Sequence, residues 1–71
     1  MIVRGWAVID GGKINVCTVS DTRRAAIVNW LIVQKCVMVL ASTTDEEIER
    51  LWWENRGTTA EVSVVVIDRE H

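Results

Sequence analysis

The chain has no proline, no phenylalanine and no tyrosine, and its one histidine is the last of its 71 residues. Without proline, and without a Ser/Gly-rich stretch or an internal repeat, nothing marks a linker, so residues 1–71 read as a single domain. An acyl-transfer triad needs a positioned base, and a lone imidazole at His71 does not supply one. Cysteine is equally scarce. Cys17 and Cys36 show no C-x-x-C spacing and no leader precedes them, so neither a zinc site nor an oxidised disulfide framework is expected. They read as free thiols of a reducing cytosol and as buried apolar fillers, with a bond between adjacent strands as the minor alternative. The longest apolar run starts at Ala25 and is interrupted by Asn29, Gln34 and Lys35, well short of the ~20 residues that cross a bilayer. Neither G-x-G-x-x-G nor G-x-x-x-x-G-K-[ST] occurs, so no nucleotide loop is signalled. The expectation is therefore no enzyme, no metal, no cofactor and no membrane partner, in a cytoplasmic setting.

Eight Lys+Arg stand against ten Asp+Glu, which gives a formal net charge of −2. Nucleic-acid phosphates are repelled on average unless the basic residues cluster, so direct nucleic-acid binding is disfavoured. A chain this short buries only about 60% of the surface it exposes when unfolded. Stability then calls for tryptophan-rich packing or for self-association, and a homodimer is one arrangement left open.

Branched and aromatic residues in IVRGWAVID, residues 2–10, predict a strand, and Asp10-Gly11-Gly12 supplies the positive φ of a tight hairpin. KINVCTV, residues 13–19, predicts the returning strand. Ser20 or Asp21 is the expected cap of a helix over 20–34, whose apolar positions Ala26, Ile27, Trp30, Leu31 and Val33 spread over more than half of the wheel. CVMVLAS, residues 36–42, switches to period two and predicts a third strand, although Lys35-Cys36 stand where a glycine is expected before it. Thr44 and Glu47 have capping-box spacing, Asp45, Glu46 and Glu47 suit the positive end of a helix dipole, and Gly57 suits its left-handed close. AEVSVVVID, residues 60–68, is a near-continuous valine run of the kind found in strands that are central or covered on both faces. The resulting expectation is an α+β two-layer sandwich, a four-stranded, mostly antiparallel sheet with two helices in the order ββαβαβ.

The helix over 43–57 sets Trp52 beside Trp53, about 100° apart around the axis. Ile48, Leu51, Trp52 and Asn55 share the core stripe, which turns Trp53 to the flank. One reading has Trp53 covering the sheet edge or the loop after Gly57. The other has it exposed among Asp45, Glu46, Glu49 and Glu54 as a protein-binding anchor, since tryptophan is enriched at interface hot spots. Arg23 and Arg24 begin the first helix, where the dipole disfavours cations. They either pair with Asp21 or with carboxylates on a neighbouring strand or, with Arg4, hold an anion.

The stretches WAVIDGGKINVCTVSDTRRAAIVNWLIV and STTDEEIERLW resemble short uncharacterised proteins encoded by phages and prophages of proteobacteria. The likeness spans most of residues 6 to 53, and TRRAAIVNWL is its most distinctive part. It carries no site residues. It implies a setting in which small acidic proteins bind host proteins, as anti-CRISPR inhibitors of similar size and charge do. The leading expectation is a non-enzymatic inhibitor of a host protein or nucleoprotein complex with a basic surface, engaged through Asp45, Glu46, Glu49, Trp53 and Glu54. The alternatives are a small nucleic-acid-associated regulator using Arg4, Arg23 and Arg24, and a self-assembling phage accessory protein.

Overall fold

The computed structural model describes residues 2–68 and contains β1 (Ile2–Asp10), β2 (Lys13–Ile14), a 3-10 turn (Val16–Thr18), α1 (Arg23–Lys35), α2 (Asp45–Asn55) and β3 (Ala60–Asp68). The sheet has three strands in the order β2-β1-β3, with antiparallel pairing throughout. The α+β class stands. The four-stranded sheet and the order ββαβαβ do not, because 36–42 forms no strand. No helix among the described residues is long and apolar enough to cross a membrane.

Gly11 and Gly12 both have positive φ, 60° and 81°, so the hairpin turns as its sequence dictates and pairs Asp10 with Lys13. The returning strand then stops after two residues. Asn15 caps the 3-10 turn, its side chain accepting from the Cys17 amide, and the Thr18 hydroxyl takes the place of a missing backbone partner. It accepts from the Val8 amide at 2.8 Å and donates to the Asn15 carbonyl at 2.6 Å. Regular pairing resumes for one residue at Ser20, which exchanges both main-chain bonds with Trp6. Thr18 is thus fully buried yet satisfied.

Paired residues of an antiparallel ladder project to the same face. The β1–β3 register therefore puts Asp10/Ala60, Val8/Val62, Trp6/Val64 and Arg4/Val66 on one face. Val8 and Ala60 at the hairpin end are buried in the core with Ile27, Trp30 and Leu31 of α1 and Ile48 and Trp52 of α2, and Val62 packs against it. Each such large side chain contributes roughly 1.5–3 kcal/mol through burial. Trp30 and Trp52 meet edge to face, ring centroids 5.1 Å apart. The helices leave the other end open: Val64 is 50% and Val66 65% exposed. The valine run of β3 therefore lies on an edge strand, and not in the centre of the sheet.

Helix α1 is capped by Thr22, whose side chain accepts from the Ala25 amide, rather than by Ser20 or Asp21. Ser20 is committed to the sheet and receives a hydrogen bond from the Asn29 side chain. The helix ends at Cys36, which adopts the left-handed conformation, φ 54° and ψ 31°, usually filled by glycine. The Val37 amide closes the turn on the Leu31 carbonyl. Beyond it the period-two pattern is physically real, with Val37 and Val39 packed on the core and Met38 81% and Leu40 58% exposed, but among the described residues no strand pairs with it. Cys17 and Cys36 are both exposed free thiols, not buried fillers, because one sits in the 3-10 turn and the other at the helix cap.

Candidate functional site

Thr44 caps α2, its hydroxyl accepting from the Glu47 amide at 3.3 Å, and Asp45, Glu46 and Glu47 fill the first turn, where their charge complements the dipole. Gly57 follows with φ 68°. This well-specified helix fixes the two adjacent indoles in opposite environments. Trp52 is 2% exposed and Trp53 is 61% exposed.

The charge around Trp53 differs from an acidic ring. The Arg56 guanidinium lies 4.7 Å from the centroid of Trp53 and 6.0 Å from that of Trp52, so one cation stacks against both rings. Its Nε donates to the Ala60 carbonyl at 2.9 Å, which fixes it at the start of β3. Spacing alone signals Arg56, which follows Trp53 by three positions and Trp52 by four, the two separations that bring helical side chains together. Arg23, Trp52, Trp53, Arg56, Glu61 and Val62 line an open groove of about 280 Å³ between the flank of α2 and β3. Glu61 belongs to this groove without any local sequence signal, because only the tertiary fold brings it there.

Most of the acids proposed for contact are engaged within the chain. Glu49 receives both guanidinium nitrogens of Arg23, and Asp45 accepts from Arg24 Nε at 2.7 Å. Arg24 also reaches the Thr43 carbonyl, so the two arginines clamp the start of α1 to the start of α2. Such partly exposed pairs contribute roughly 0.2–1 kcal/mol each. Glu54 and Glu47 share Arg50, whose pKa is raised above its ordinary value, chiefly by its hydrogen bond to Glu47 and then by the charges of Glu47 and Glu54. Among the described residues no ion pair involves Glu46. The helix that reads as acidic is therefore largely compensated.

The alternative anion site is not assembled. Arg23 and Arg24 meet carboxylates of α2, neither Asp21 nor a strand, while Arg4 sits on β1 opposite Val66. Among the described residues no three of His, Cys, Asp and Glu converge as a metal site. No family model, no curated protein and no solved structure matches the chain.

Proposed function

We propose that this chain is a non-enzymatic, phage-derived binding protein that inhibits a host protein or nucleoprotein complex, with Trp53 as its anchor. One observation carries the reading: an indole held 61% exposed on a helix capped by Thr44, beside a neighbour that is buried. Large aromatics fixed at a surface lose little conformational freedom on binding, which is why they dominate hot spots. The compensation of Asp45, Glu49 and Glu54 by arginines shifts the weight of the contact from electrostatics to the indole and the Arg56 stacked on it. Glu46 and Glu61 remain to select a partner with complementary basic groups at the rim.

The test is affinity capture from a proteobacterial lysate with the wild type and Trp53→Ala, followed by a titration of the captured protein. Trp53→Ala is expected to weaken that complex at least about 30-fold, the equivalent of a ~2 kcal/mol hot spot. An affinity left within threefold would remove α2 as the contact surface. The nucleic-acid reading separates on the same material, because binding to DNA or RNA would collapse between low and moderate salt.

A further inference from the structure

The outer edge of β3 is built to pair with a second strand. Trp6 and Val8 direct their main-chain groups towards Ser20, Thr18 and Asn15, so the alternate residues of β1, Gly5, Ala7 and Ile9, bond towards β3. Their partners are Val65, Ser63 and Glu61. The amides and carbonyls of Val62, Val64 and Val66 consequently point away from the sheet. Among the described residues no backbone hydrogen bond from another segment reaches these three, and only the Ser63 hydroxyl approaches the Val64 carbonyl, at 3.5 Å. Protected edges carry a proline, charged side chains such as lysine, a bulge, a very short strand or a covering segment. β3 has no proline, lysine or bulge across nine residues, and Glu61 and the Arg56 bond to the Ala60 carbonyl lie at its first end, away from Val64 and Val66.

We infer that two copies of this chain pair through β3, antiparallel about a twofold axis at Val64, to give a six-stranded sheet in the order β2-β1-β3-β3-β1-β2. This is the one register that is symmetric and pairs all nine residues of the strand. It sets Val62 against the partner's Val66 and Val64 against the partner's Val64, residues whose main-chain groups face outwards; Ala60 also faces outwards, but its carbonyl already accepts from Arg56. Two bonds at each of the three central pairs make about six, within the usual range for a specific interface. No acids oppose each other, since Glu61 falls opposite the partner's Ile67. A twofold axis perpendicular to the sheet leaves both helical layers on the same face. The open end of that face, Val64 and Val66, then lies beside the partner's covered end, Val62 and Ala60. The valine run, whose composition suits a central strand, becomes one. Self-association of this kind is also a common staple for a 71-residue chain. The pairing stands independently of the Trp53 reading.

The full-length chain is tested first by sedimentation equilibrium at about 100 µM. A mass of twice 8.0 kDa is expected for the wild type. It should return to that of a single chain in Val64→Lys, which places two ammonium groups on the axis, with an unchanged circular dichroism spectrum. A second experiment needs no disrupted fold. With Cys17→Ser and Cys36→Ser in place, Val64→Cys is treated with oxidised glutathione. Directly opposed residues of a hydrogen-bonded pair have Cα atoms about 5.5 Å apart, within disulfide reach. Val64→Cys is therefore expected to give covalent dimer in high yield, and Val66→Cys, four residues out of register with its own copy, little. A monomeric wild type, or equal cross-linking at 64 and 66, would overturn the proposal.

Discussion

The two edges of this small sheet are opposites. On the β2 side the strand lasts two residues before Asn15 and Thr18 turn it away, and the Thr18 side chain supplies the bonds that a neighbouring backbone would have made. On the β3 side nine residues run on with no interruption, no proline and exposed valines at 64 and 66. The first edge satisfies itself locally and offers nothing to a second strand. The second leaves its outward main-chain groups to water or to a partner. An edge is thus made sociable or inert by a few side chains that do or do not compete for backbone hydrogen bonds.

The contrast can be broken most severely through what both edges share. Trp52→Ala removes the indole that meets Trp30 above Val8 and Ala60, and a loss of about 3–5 kcal/mol is expected, enough to abolish a cooperative thermal transition in a domain this small. Thr18→Val attacks the closed edge alone. It leaves the Val8 amide without its partner and removes one of the two bonds to the Asn15 carbonyl, which keeps the Thr18 amide, so chemical denaturation should report a loss of about 1–3 kcal/mol, with Thr18→Ser recovering most of it.

Smaller changes sharpen the comparison. Cys36→Gly relieves a left-handed residue whose side chain is exposed, and a gain of about 1 kcal/mol is expected in the same denaturation measurement. Trp53→Ala should move stability by less than about 0.5 kcal/mol, because its ring is mostly in water. A drop of 2 kcal/mol there would make Trp53 a structural residue and withdraw it as an anchor.

These elements also show where the sequence is informative. The Gly11-Gly12 hairpin, β1, and α2 with its Thr44 cap and Gly57 close were legible because their signals are local: a positive φ, a hydroxyl three residues before an amide, an apolar stripe at helical spacing. So was the separation of Trp52 from Trp53, which follows from helix geometry. The segment 36–42 misleads for a definite reason. Alternation records that Val37 and Val39 face the core, but a strand also requires another strand within hydrogen-bonding reach, and that is a property of the whole fold. β2 is shorter than its alternating sequence predicts because the side chains of Asn15 and Thr18 capture backbone groups that a continuing strand would have used. At the candidate site, the acids of α2 were visible in the chain, whereas their neutralisation by Arg23 and Arg24 depends on how α1 lies against α2.

Amide hydrogen exchange compares the two edges directly within one molecule. The Val8 amide, held by Thr18, should be protected to the same degree at 10 µM and at 1 mM. The Val64 amide should exchange faster in the dilute sample and slow several-fold in the concentrated one, towards the roughly tenfold ceiling that a monomer–dimer equilibrium sets for a hundredfold change in concentration. Rapid exchange at Val64 at both concentrations would mean that the β3 edge stays open, and pairing between copies would then have to be abandoned.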